Sequence, residues 1–276
     1  MTATPAPDRP LVERFPPPEV PFAGDYSARH NALLEAVFAE PALLEPFSSG
    51  RQLPSGYGIG LDERVVEYPW LVAAAPRGRV LDAGSVLNHE HVLDRLLPSI
   101  DSLTIVTLEP ERVAFTERRV SYVYDDLRDL PFRADRFDTV VSLSTLEHVG
   151  MDNTLYGSGV ARADDADDAL ALAAGELLRV VKPDGRLLLS VPFGRFEDHG
   201  WFRQFGPAEL DRLCSLLRPA TPTVEIFCYG ADGWRRSDPA GAADVRYRPA
   251  IDPPADDRAA AARAVACISV ALGRPD

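Results

Sequence analysis

Lysine is almost missing from this chain. Lys182 is the only one, so arginine supplies nearly all of the 29 basic residues, which face 42 acidic ones. The net charge of −13 argues against a nucleic-acid partner, because phosphate binding needs a basic footprint. Cysteine is scarce too. Cys214, Cys228 and Cys267 lie far apart with no Cys-x-x-Cys pair, which suggests neither a disulfide framework nor a zinc site. No apolar run reaches the ~18 residues expected of a membrane-spanning helix. The proline-rich stretch Met1–Pro18 lacks the basic-then-apolar order of a signal peptide. The expectation is a cytoplasmic protein with a small-molecule substrate, without nucleic-acid or membrane partners, and with a homodimer as a permitted assembly.

What is present is an alternation of apolar strands and amphipathic helices. Its 276 residues, 46% of them hydrophobic, can bury one large core. Residues 27–48 read as helix, with Leu33, Leu34, Val37 and Phe38 on one face and a break at Pro41. Gly56, Gly58 and Gly60 mark a loop, and Asp62 can cap a second helix that runs to about Ala75. Strands follow at 79–83, 103–108, 122–124, 138–143 and 186–191, with helices at 90–97 and 164–181 between them. Such a rhythm implies a mostly parallel sheet with helices on both faces. A helix from Pro207 and strands at 223–228 and 265–272 close the chain, and the connection 230–260 reads as a surface loop that includes Trp234 and Tyr247.

The acids fall where the strands end. Asp82 and Gly84 follow the first strand, Glu109 the second, and Asp126 with Leu127 the third. Pro131-Phe132 and the turn Lys182-Pro183-Asp184-Gly185 come at their usual places further on. In this order the segments resemble the class I S-adenosylmethionine (SAM) methyltransferases over residues 60–195. The resemblance implies a doubly wound, seven-stranded, mostly parallel Rossmann-like sheet, a C-terminal antiparallel hairpin and an N-terminal helical lid. The division expected is an arm at 1–26, the lid at 27–76 and the methyltransferase-like α/β domain at 77–276. By the same resemblance SAM is the cofactor, held by Asp82, Gly84, Ser85, Glu109, Asp126, Leu127 and Ser144. Glu109 would accept from the ribose hydroxyls and Asp126 from the adenine amine, since a carboxylate is acceptor-only with two oxygens. The family's glycine-rich run is degenerate here: Val86 and Asn88 stand where glycines are expected, and a β-branched residue resists positive φ. A nicotinamide-binding fold is disfavoured, because Gly-x-Gly-x-x-Gly is absent.

Methyl transfer from a sulfonium needs alignment and exclusion of water, and a hydroxyl acceptor gains from a base near neutrality. Two histidines are candidates. His148 lies in Leu146-Glu147-His148-Val149 after the fourth strand, and His199 in the aromatic loop after the fifth. Trp201 and Arg203 of that loop, with Asp152 and Tyr156 after the fourth strand, form the expected acceptor wall. A Glu-His pair joins a further acid to bind Mg²⁺ in some related O-methyltransferases. Ser144 stands at that acid's position, which disfavours a metal; Asp152 could replace it, so Mg²⁺ stays a possible cofactor while no metal ligand is assigned. His89 and His91 flank Glu90, but neighbours two apart on a helix do not face one another. The favoured activity is O-methylation of a sugar, sugar nucleotide or natural-product hydroxyl. The alternative keeps the fold without methyl transfer, as a binding or regulatory protein.

Overall fold

The computed structural model describes residues 9–18, 22, 24–154, 159–248 and 261–273. Five parallel strands form its centre: β1 (Arg79–Ala83), β2 (Ser102–Thr107), β3 (Val120–Tyr124), β4 (Phe137–Leu143) and β5 (Val181–Pro192). β1 and β4 are buried along nearly their whole length, as strands covered by helices on both faces must be. The chain runs from β1 outward to β2 and β3, then returns to place β4 on the other side of β1. The strand order reverses between β1 and β4, the place where open α/β sheets take their ligands.

The rest of the sheet is antiparallel. β8 (Thr223–Gly230) lies apart from β5, and β10 (Ala264–Ala271) is inserted between them, antiparallel to both. The sheet has eight strands, one more than expected, in the order β3-β2-β1-β4-β5-β10-β8-β9. The additional strand, β9 (Gly233–Ser237), comes from the segment expected to be a surface loop. Its Trp234 is buried, donates from Nε1 to the Leu61 carbonyl at 2.9 Å, and packs on Tyr229. Trp234 therefore joins the sheet edge to the N-terminal helices and is a core residue. A two-stranded ribbon, β6 (Glu197–Asp198) with β7 (Arg203–Gln204), was also unannounced by any periodicity.

Two cores sit on the two faces of the sheet. α2 (Tyr26–Ala39), α3 (Pro41–Ser49), α4 (Arg64–Ala73) and α5 (Glu90–Leu96) cover one, through Leu33, Phe47, Val65 and Leu93. α6 (Ala166–Val180) and α7 (Pro207–Leu216) cover the other, through Leu170, Leu177, Leu210 and Leu213. Alternate residues of one strand serve opposite cores: Val80 faces the first and Leu81 the second. Pro41 starts α3 at its first position, where proline's missing N–H costs nothing, so the expected long helix is split there. Asp165 caps α6 by accepting from the Asp167 and Asp168 amides. The Lys182–Gly185 turn lies inside β5 as an irregularity: Phe137 pairs with Val181 and Thr139 already with Arg186. Before these elements, Leu11–Arg14 forms a short helix, α1, whose Leu11 is buried within the stretch expected to be an arm.

Candidate active site

A cleft of about 580 Å³ opens over the carboxyl ends of β1 to β4. Gly84, Glu109, Asp126, Leu127, Ser144 and His148 all line it. The sequence had placed these residues on four separate strand ends, and the parallel sheet brings them to one face.

The loop after β1 explains its own glycine shortage. Only Gly84 (φ +128) and Ser85 (φ +65) take positive φ in it; Val86 and Asn88 do not. Val86 is buried, and its carbonyl accepts from the Tyr68 hydroxyl at 2.9 Å. Asn88 donates to the Val113 carbonyl (2.9 Å) and accepts from the Tyr122 hydroxyl (2.7 Å), which pins the loop to the segment after β2. Gly84 is the position that tolerates no side chain, because a Cβ there would sit 2.1 Å from Thr145 Oγ1. The loop therefore turns without asking positive φ of Val86 or Asn88.

Asp82 is fully buried, and its Oδ2 accepts from the Leu87 amide at 2.8 Å. It organises the loop from behind and does not line the cleft, which corrects its expected contact with the cofactor. Burial pushes its carboxyl up to about 7, against the opposing pull of the Leu87 amide. Ser85 likewise turns its hydroxyl to Glu111, which does line the cleft.

At the far end of the cleft Asp126 is gripped by Arg128. The guanidinium donates from Nε to Oδ1 (2.9 Å) and from Nη2 to Oδ2 (2.6 Å), and the Arg128 amide adds a third bond to Oδ1 (2.9 Å). Burial would raise this carboxyl, but the bonds from Arg128 outweigh it and hold it below its usual range. Oδ1 thus takes two donors, and Oδ2 takes Nη2 with a longer contact from Nε (3.1 Å), so an incoming amine would compete with Arg128 for this carboxylate.

The acceptor side differs from expectation. His148 lies in the cleft wall, and its Nδ1 is 3.0 Å from the Trp201 carbonyl. A carbonyl only accepts, so the proton belongs on Nδ1 and the basic lone pair on Nε2. Burial holds His148 below the ordinary imidazole value. Trp201 stands behind that ring, 5.3 Å between centroids, and is a support of the histidine instead of an acceptor contact. His199 is outside the cleft lining: its ring stacks on Phe202 at 4.6 Å, with Nε2 3.4 Å from Glu197. Arg203 is corrected as well. It is buried, donates to Asp167 (2.6 Å) and to the Ala166 carbonyl (3.1 Å), and ties β7 to α6. Asp152 accepts from Thr154 in a local turn, while its neighbour Asn153 lines the cleft. Tyr156 lies outside the described residues. Among the described residues no cluster of three or more His, Cys, Asp or Glu could hold a metal ion, so Mg²⁺ finds no support. Glu147, beside His148, is buried, and burial raises its carboxyl well above the usual range. His89 and His91 do stack, 5.8 Å apart. The backbone of His89 is extended at the helix cap, so helical spacing does not apply to it.

Arg64, from the N-terminal helix α4, and Arg128, from the loop after β3, line the cleft without having been singled out in the sequence, whereas Asn153 falls in the segment 151–157 expected to form the acceptor wall. Nothing in the run around Arg64 says that the start of its helix leans over the sheet.

The strand order with its reversal, and a cleft lined by acids after β2 and β3, form a Rossmann-like α/β arrangement. A family profile described as "Methyltransferase domain" matches residues 83–189. The matched span carries the cleft residues Gly84, Glu109, Asp126, Ser144 and His148 and supports a methyltransferase enzyme. No curated protein matches it in sequence. Among solved structures it resembles the 1,6-didemethyltoxoflavin-N1-methyltransferase of Burkholderia thailandensis, determined with its substrate and S-adenosylhomocysteine, at 18% identity over 93% of this chain and 94% of that one, TM-score 0.44. It also resembles the N-methyltransferase NodS of Bradyrhizobium japonicum at 12% identity, 76% and 95% coverage, TM-score 0.44. A third is a possible histamine N-methyltransferase of Thermotoga maritima, at 16% identity, 75% and 87% coverage, TM-score 0.45. Among the described residues no helix is long and apolar enough to cross a membrane.

Proposed function

We propose that this methyltransferase transfers the methyl group of SAM to a hydroxyl of a small polar molecule, with His148 as general base. The observation that carries the reading is His148 in the cleft wall, its Nδ1 committed to the Trp201 carbonyl. SAM, when bound, supplies a methyl group already activated on a sulfonium. Glu109 is suited to hold the ribose, Asp126 and Leu127 the adenine, and Gly84 and Ser144 the methionine chain. Nε2 of His148 would take the proton of the acceptor hydroxyl as the methyl group is transferred, leaving S-adenosylhomocysteine. The depressed basicity of His148 suits this role, because the ring is neutral at physiological pH. The helices over 27–76 act as a lid, and Gly150 and Asn153 bring the loop after β4 into the cleft wall.

The reading is tested by calorimetric titration with SAM and S-adenosylhomocysteine, followed by a screen of hydroxylated acceptors scored by S-adenosylhomocysteine formation. Micromolar binding and turnover of a hydroxyl compound are expected. Binding with turnover only of amines would replace oxygen by nitrogen as the acceptor atom.

A further inference from the structure

Glu67 belongs to the N-terminal helix α4, does not line the cleft, and is fully buried. Its carboxylate nevertheless joins three segments distant in sequence. Oε1 accepts from the hydroxyls of Ser144 (2.6 Å) and Ser190 (2.5 Å), and Oε2 pairs with the guanidinium of Arg64. Two of these partners, Arg64 and Ser144, line the cleft. The third, Ser190, also accepts from the Ser144 amide at 3.0 Å.

Ser144 is a non-glycine residue at φ +39. Such a conformation costs on the order of 1 kcal/mol or more and persists only where surrounding groups impose it. Here they do: Glu67 holds the side chain, while the Ser190 hydroxyl and carbonyl hold the amide. Arg64 is fixed by the same carboxylate. A guanidinium has five N–H donors, and Glu67 uses one side of it, which leaves a forked donor for the cleft. At the opposite end of the cleft stand Asp125 and Asp126, and the Arg128 cation there is already committed to Asp126. The Arg64 cation shares the Glu67 carboxylate with Ser144, beyond the carboxyl ends of the neighbouring strands β1 and β4.

We propose that Glu67 is a positioning residue that builds the amino-acid end of the cofactor cleft, aiming Arg64 at the carboxylate of the methionine chain and locking Ser144 beside it. This deepens the reading above and rests on it, since it takes the cofactor to lie with its adenine toward Asp126. It also gives α4 a function in cofactor capture. The bond to Ser190 carries the same carboxylate into β5, so three layers of the molecule register on one group.

The test is calorimetry with two probes, S-adenosylhomocysteine and 5′-methylthioadenosine. The second keeps the adenosine and the sulfur and lacks the amino-acid chain. In Glu67→Gln an amide nitrogen replaces an acceptor, so one set of donors loses its partner. The expected result is a loss of roughly tenfold to a hundredfold in S-adenosylhomocysteine affinity, the size of a charge-assisted hydrogen bond, with 5′-methylthioadenosine changed by less than about twofold. Ser190→Ala, which removes one donor and leaves Arg64 in place, should give a smaller loss with the same selectivity. It carries the test if Glu67→Gln does not fold. An equal loss for both probes would mean a merely structural role and overturn the proposal, as would no loss for either. Wild-type protein that binds neither probe would overturn the cofactor reading beneath it, a result distinct from intact wild-type binding with an unselective variant.

Discussion

The two ends of the cleft are built in opposite ways. At the end proposed for adenine, Asp126 and Arg128 hold one another across two residues of one partly exposed loop. At the end proposed for the amino-acid chain, Arg64, Glu67, Ser144 and Ser190 come from three segments, and the carboxylate joining them has no exposure at all. The first arrangement is made by local chain geometry and survives small shifts of the sheet. The second exists only when helix, sheet and loop are already in register. Binding specificity that depends on tertiary register is lost together with stability, whereas a locally built contact can be altered alone.

Four outcomes would sharpen or break that contrast. The largest concerns the chemistry at the amino-acid end. His148→Ala should lower turnover of a hydroxyl acceptor by about 10²- to 10⁴-fold while leaving S-adenosylhomocysteine affinity within about twofold. Turnover unchanged in a folded variant would remove His148 as the base. Next comes Gly84→Ala, which sets a methyl group 2.1 Å from Thr145 Oγ1 at a φ of +128. It should destabilise the fold by about 3 kcal/mol through overpacking and backbone strain, seen as a lower urea midpoint together with loss of cofactor binding. A stable Gly84→Ala protein would show that this end is more pliant than described. At the other end Asp126→Ala should weaken SAM binding by about 1–3 kcal/mol yet shift stability by less than about 1 kcal/mol, as expected of a half-exposed ion pair. A large fall in its melting temperature would erase the contrast.

The smallest effect is a pH dependence. Burial raises Asp82 to about 7 and Glu63 to about 8 in the folded protein, against ordinary values near 4 in the unfolded chain. The native state therefore binds more protons than the unfolded state between those limits. The associated stability is present at acidic pH and drains away as pH rises through 7 and 8. Thermal melts should show a midpoint that falls from pH 5.5 to 8.5, and Asp82→Asn should flatten part of that slope. An unchanged slope in Asp82→Asn would place the effect elsewhere.

The sequence carried the strand ends well, because acids and glycines at the carboxyl ends of parallel strands answer to backbone geometry close by. Gly84, Glu109, Asp126 and Ser144 could be read from position alone, and all four line the cleft. Side-chain direction was not legible in the same way. Arg203 and His199 look functional in a loop rich in aromatics, yet the short β6–β7 ribbon turns one toward α6 and stacks the other on Phe202. Arg64 was invisible because its place depends on how α4 crosses the sheet. Trp234 was misread because β9 is defined by pairing with β8 and not by alternation of its own residues, Gly233-Trp234-Arg235-Arg236-Ser237.

The place of β10 has a consequence for how the protein is made. Residues 264–271 are translated after every other described strand, yet they fill the gap between β5 and β8. Until they leave the ribosome the nascent chain carries two open strand edges facing one another across a missing strand, each a template for pairing with another chain. Folding must hold a nearly finished sheet apart until β10 is inserted, so the interval before that insertion is when these two edges are most open to pairing with another chain.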